Sequence, residues 1–135
     1  MMAGMPYRVA IFARNEARNL PAAVSALVDA CPAAADLRIT VLVNGCTDAT
    51  PDVVRALARA HPQVRGVLLP FGDKSNAWNT YVYAIADESP VHFFTDGDVT
   101  CSPGALERMQ ETLLATTGAA AIAGMPLSEI GRAHV

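Results

Sequence analysis

Asp96 and Asp98 flank a single glycine in the stretch "FFTDGDVT" (Phe93–Thr100), which follows directly on the apolar run "VHFF". Carboxylates this close repel each other unless water or a cation screens them. The segment is therefore either a solvated turn or the seat of something positive. Hard oxygen ligands with an open coordination sphere suit Mg²⁺ or Mn²⁺, which keep positions for substrate phosphates. Gly97 allows a tight turn and the close approach of a ligand. A D-x-D pair also arises by chance in many turns, so its weight depends on what surrounds it. It does not open an EF-hand loop, because Thr100 and Ser102 break that pattern.

Other chemistries lack their signatures. No G-x-G-x-x-G follows the first apolar run, no G-x-x-x-x-G-K-[ST] is present, and there is no G-x-S-x-G elbow. His61 reads as a helix-end residue and His92 as a histidine satisfied within a strand. Trp78, Tyr81 and Tyr83 read as packing residues, with Trp78 able to reach a cleft. The chain has 135 residues and a net charge of −3. Such a length fits one domain, or part of one, and buries about two thirds of its unfolded surface. Without a Lys/Arg cluster, nucleic acid is not the expected partner. No apolar run reaches membrane-spanning length, and "MMAGMPYRVA" lacks the layout of a signal peptide. Cys31, Cys46 and Cys101 are odd in number and far apart, which fits reduced thiols in the cytoplasm.

The elements that must position these residues alternate. Strands are expected at Tyr7–Ala13, Leu37–Val43, Val64–Pro70 and Val91–Thr95, and a fifth at Ala119–Met125. Between them, a helix begins at Leu20 with Asn19 as N-cap and Pro21 in the first turn. A second, capped by Asp48 or Thr50, presents Val54, Leu57, Ala58 and His61 and ends at Pro62. A third runs from about Ser75 to Asp87 and turns Ala77, Tyr81, Ala84 and Ile85 inward. Pro103 opens a fourth, with Leu106, Met109 and Leu113 inward. Strands separated by helices imply an α/β fold with a mostly parallel sheet and right-handed crossovers. Ligands of such sheets bind at the carboxyl ends of the strands. Four polar segments fall there: "ARNEARN", "NGCTDAT", "FGDKSNAWN" and "DGDVT". Each alone is a solvated loop; their meeting on one edge points to a site.

Together, "VAIFARNEARNL", "VLVNGCTDAT", "GDKSNAWN" and "FFTDGDVTCSPGAL" resemble the nucleotide-binding half of the family 2 glycosyltransferases, over about Tyr7–Met125. The resemblance implies a GT-A, Rossmann-like sheet flanked by helices. It implies a nucleotide-sugar donor, a divalent metal (Mn²⁺ or Mg²⁺), and a glycan, lipid or small-molecule acceptor. By position, the segment Ala13–Glu16, with Ala13, Asn15 and Glu16 foremost, would line the nucleotide pocket, with Glu16 near the nucleoside. Asn44 stands where many members carry an aspartate that hydrogen-bonds the base or ribose, and Val43 replaces another. An amide donates as well as accepts, whereas a carboxylate only accepts. Lys74 and Asn79 match polar positions after the third strand, where a lysine favours a diphosphate as a point charge. Asp96 and Asp98 match the family's D-x-D: Asp98 would ligate the metal, and Asp96 would contact metal or ribose. The metal would neutralise the departing nucleoside diphosphate. Inversion would need a carboxylate base, which in the family lies after this half.

Two other readings stand beside this one. A sugar nucleotidyltransferase would carry a Gly- and Arg-rich loop after the first strand, which "ARNEARN" does not supply. A catalytically inactive nucleotide-binding module would bind a donor without hydrolysing or transferring it. The terminal Ile130–Val135, "IGRAHV", is what a widely used short-read sequencing adapter would encode. The expectation is a donor-binding part over residues 1–129, incomplete at the C-terminus, followed by adapter read-through over 130–135. Resequencing the source locus is expected to show different codons after Glu129; native "IGRAHV" codons followed by a genuine stop would overturn this.

Overall fold

The computed structural model describes residues 5–32, 35–121 and 124. Four strands, β1 (Pro6–Ala13), β2 (Asp36–Asn44), β3 (Val64–Leu69) and β4 (His92–Asp96), form one sheet in the order β3-β2-β1-β4. All neighbours are parallel. Each lies within a residue or two of its expected bounds. The helices are α1 (Leu20–Ala30), α2 (Thr50–Ala60), α3 (Lys74–Thr80) and α4 (Ala105–Ala115). The α/β architecture, a parallel sheet flanked by helices, is that of a GT-A-type, Rossmann-like fold.

The central strands are nearly continuous apolar runs because both faces are covered. On one face Val9, Ile11, Ile39, Val41 and Val43 pack against Leu20, Val24 and Leu27 of α1, Val54 and Leu57 of α2, and Leu106 of α4. On the other, Ala10, Phe12 and Leu42 meet Ala77 of α3 and Tyr81. Met109 and Leu113 flank the first core as expected. Burial pushes the Cys31 thiol up to about 11, and all three cysteines are free.

Local signals hold with particular exceptions. Pro21 lies in the first turn of α1, but Asn19 is in right-handed helical geometry and its side chain does not cap. It donates instead to Glu16 Oε1 at 2.9 Å. Asp48 does satisfy the start of α2, accepting from Thr50 N at 2.9 Å. His61 falls just past the end of α2. The third helix is not uniform: after Thr80 it widens into a π-helical turn, Tyr81–Ile85, in which Ala86 N donates to Tyr81 O at 2.8 Å. The wider turn rotates the following residues, so Tyr81 is buried while Ala84 faces solvent. Of the expected fifth strand, Ala119–Ala121 form none; the remainder apart from Gly124, and all of Ile130–Val135, lie outside the described residues. No described helix is long and apolar enough to cross a membrane.

Where the strands begin, Arg8 is only 8% exposed and joins both flanking segments. Its guanidinium donates to Asp36 Oδ2 at 2.8 Å and to Asp87 Oδ2 at 2.7 Å. The Arg8 guanidinium, then the Ser89 hydroxyl and amide, hold the Asp87 carboxyl well below the usual carboxylate range. Asp36 is lowered as well, chiefly by Arg8. Because both carboxyls are depressed in the folded chain, their contribution is intact above the unfolded pKa of about 4 and is lost as pH falls below it. The carboxylates are about 40% exposed. The network therefore lies between the ~0–1 kcal/mol of a surface pair and the ~3–5 kcal/mol lost on breaking a buried one. Arg8→Gln is expected to destabilise by about 1–3 kcal/mol at pH 7. It should also flatten the fall in urea midpoint between pH ~4 and ~2; an unchanged acid slope would dissociate stability from this network.

Candidate functional site

The four polar segments at the carboxyl ends of the strands are bound to one another in a closed ring. The first meets the second through Asn15, whose φ of +55° is one that asparagine tolerates better than most residues. Asn15 Oδ1 accepts from Thr47 N at 2.8 Å and from Asp48 N at 3.3 Å. Glu16 N donates to Thr50 Oγ1 at 2.9 Å. The second meets the third at Gly45, with φ +62°, where an added Cβ would lie 2.5 Å from Gly72 N and 2.7 Å from Gly72 Cα. The third meets the fourth where Lys74 Nζ donates to Asp96 Oδ1 at 2.7 Å. The fourth returns to the first, with Gly97 N donating to Phe12 O at 2.9 Å. A Cβ on Gly97 would stand 3.0 Å from Glu16 Cγ.

The ring encloses a cleft of about 300 Å³ lined by Phe12, Ala13, Arg14, Glu16, Asn44, Gly72, Lys74, Asp96 and Asp98. Six of the residues expected from sequence are brought together there: Ala13, Glu16, Asn44, Lys74, Asp96 and Asp98. Two are not. Asn15 uses its carbonyl to tie down the second segment, and Asn79 lies on the exposed surface of α3. Arg14, within the segment 13–16 expected to line the pocket, lies there too; Phe12 and Gly72 are further lining residues that the motifs did not single out. A Cβ on Gly72 would meet Arg14 Cζ at 2.7 Å. A larger concavity, about 500 Å³, lies where the strands begin, beside Arg8 and Arg38. There Arg8 is already paired with Asp36 and Asp87, and Arg38 with Asp36. The cleft at the carboxyl edge is the one placed where parallel sheets bind ligands.

Helix α3 supplies one wall of the cleft. Asp73 caps it, accepting from Ser75 N at 2.9 Å. Lys74 and Trp78, four residues apart, share a face. Lys74 Nζ stands 5.3 Å from the centroid of the Phe12 ring. Trp78, itself exposed, stacks on Phe94 at 4.0 Å and on Phe12 at 5.9 Å and is not among the residues that line the cleft. Asn44 is only 4% exposed, and its Oδ1 is buried with no hydrogen-bond partner among the described residues. An unpaired buried acceptor costs about 1–3 kcal/mol, which a ligand donor would recover. Asp96 and Asp98 offer hard oxygen donors, and Asp96 pairs with the Lys74 ammonium. No third His, Cys, Asp or Glu completes a metal cluster among the described residues. The donor set therefore fits a cation that takes its remaining ligands from phosphate and water.

Fold and site together define an α/β domain with a charged ligand cleft at the carboxyl edge of a parallel sheet. The chain belongs to glycosyl transferase family 2, whose family model matches residues 8–134. Comparison with curated proteins gives no match. Membership implies glycosyl transfer from a nucleotide-sugar donor, as the four motifs led one to expect.

Gly45 tests the ring. Gly45→Ala adds both the strain of a left-handed backbone and a clash with the Gly72 main chain, and is expected to cost about 2–4 kcal/mol. Gly118, with φ +82° and nothing within 4 Å of an added Cβ, carries the strain alone. Gly118→Ala should cost about 1 kcal/mol. Equal losses in urea unfolding would show that the close approach of the second and third segments is not needed.

Proposed function

We propose that the cleft holds the nucleoside diphosphate of a sugar donor, and that the domain takes part in metal-assisted, inverting transfer of that sugar to a hydroxyl acceptor. The observation that carries this is the meeting, in one cleft, of paired carboxylates, two cationic side chains and a buried, unpaired amide oxygen. Asn44 Oδ1 would accept a hydrogen bond from the base or ribose. Lys74 and Arg14 would balance the diphosphate charge. Asp96 and Asp98 would hold a divalent cation such as Mn²⁺ or Mg²⁺. Bound there, the cation would supply Lewis-acid stabilisation to the departing nucleoside diphosphate. Glu16, with its main-chain N–H held by Thr50, would face the nucleoside across the Gly97 turn. Inversion calls for a base on the acceptor side; none is assigned among the described residues.

Asp98 is exposed and makes no ion pair among the described residues, so removing it should leave the fold intact. Asp98→Ala is expected to abolish the metal-dependent part of UDP or GDP binding, measured by isothermal titration with Mn²⁺ and with EDTA. Binding that is equally tight in EDTA, and untouched by the substitution, would count against the cleft as a metal–diphosphate site. Binding without any donor hydrolysis or transfer would favour the inactive module.

A further inference from the structure

The ion pair between Lys74 and Asp96 occupies the position a divalent cation needs. Lys74 Nζ sits 2.7 Å from Asp96 Oδ1, with the two side chains 61% and 51% exposed. Among the described residues no other side chain donates to that carboxylate, and Asp98 beside it has no ion-pair partner. The face of the Phe12 ring, 5.3 Å from Nζ, holds the ammonium from the other side. A divalent cation on Asp96 would stand within a few ångströms of this ammonium, and like charges at that separation repel. One of the two must leave.

We propose that Lys74 acts as an internal counter-ion on Asp96, so that the cleft takes its divalent cation together with a nucleoside diphosphate and not before it. This rests on the donor-binding reading above. Lysine suits the role, being a compact point charge on a flexible stem. Its main chain is fixed at the start of α3, where Asp73 caps the helix. Its side chain is 61% exposed and lines the cleft. An exposed pair is worth only about 0–1 kcal/mol, so exchange is easy once a better partner arrives. The phosphate oxygens are that partner: Lys74 would turn to the diphosphate, leaving the Asp96 carboxylate free to hold a divalent cation. Nucleotide and metal then strengthen each other, and by linkage they do so by the same factor.

The test uses Mn²⁺ alone as the probe, its free concentration read by electron paramagnetic resonance. The titration is run on the unaltered chain, on Lys74→Met, which keeps the stem over Phe12, and on Lys74→Gln. It is repeated with saturating UDP and with GDP, and circular dichroism checks that both variants are folded. Without nucleotide, both variants are expected to bind Mn²⁺ about three- to fivefold tighter than the unaltered chain. The enhancement of Mn²⁺ binding by nucleotide should shrink. In an Asp96→Asn background the gain from Lys74→Met should vanish. If the unaltered chain binds Mn²⁺ with nucleotide but neither variant gains affinity for Mn²⁺ alone, the counter-ion role is wrong and the donor reading stands. If the unaltered chain binds no Mn²⁺ with either nucleotide, both fall together.

Discussion

The carboxyl edge of this domain depends on the parallel register of β1 between its neighbours. Phe12 lies opposite Leu42 on one side and Asp96 on the other, and Ala13 lies opposite Val43. Side chains alternate faces with a period of two, so a slip of one residue in β4 would turn Asp96 toward the apolar core under α1 and α4. Burying that carboxylate without a partner would be expensive. The same slip would bring Phe93 out of the core it fills. The apolar pattern that fixes the register therefore also fixes which face the carboxylate takes. Asn44, sharing a face with Leu42, ends β2 on that same side.

Once the strand ends are level, the polar groups of the connecting segments face competing demands. Backbone N–H groups in tight turns must find acceptors somewhere. Here many are met by neighbouring segments. Asn15 serves Thr47 and Asp48, Thr50 serves Glu16, and Leu69 O accepts from Gly45 N at 2.8 Å. The groups left without a partner among the described residues differ in character: the Asn44 amide oxygen, the Asp98 carboxylate and the Arg14 guanidinium. A ligand would meet a frame whose connecting segments are already hydrogen-bonded to one another, which would lower the ordering cost of binding.

The pattern that was legible in sequence was the pattern carried by period and punctuation. Strand bounds followed from β-branched runs such as "RITVLV", and the helix starts from Pro21 and Asp48. Six of the cleft residues followed from their place at strand ends and the motif order. The rest depended on through-space choices that spacing does not encode. Asn15 and Glu16 are adjacent, yet one faces the second segment and the other the cleft, because a single left-handed φ at Asn15 turns the chain. Asn79 follows Trp78, but α3 rotates it away from the side shared by Lys74 and Trp78. Asn19 had the residue type of a cap without the backbone angles of one. The π-helical turn left no mark in the apolar period, since Tyr81, Ala84 and Ile85 fit a uniform helix equally well.

That turn shows how the two ends of the sheet are mechanically joined. An uninterrupted α-helix would place Ala84, three residues after Tyr81, on the same buried face. The wider turn instead pairs Tyr81 with Ile85, which packs against the same cluster, and leaves Tyr81 edge-on to Phe94 at 5.5 Å between ring centroids, with its hydroxyl 2.8 Å from His92 Nδ1. The chain then leaves toward Asp87, which is held by Arg8. At its other end the same segment begins with the Asp73 cap and sets Lys74 over Phe12 and Trp78 on Phe94. A seven-residue helix is too short to be stable by propensity. It is held because it is fastened at both ends: by the cap and aromatic stack beside the cleft, and by the Tyr81–His92 and Arg8–Asp87 contacts where the strands begin. The segment that sets the ammonium on Asp96 at one end thus runs on to the Arg8–Asp87 pair at the other.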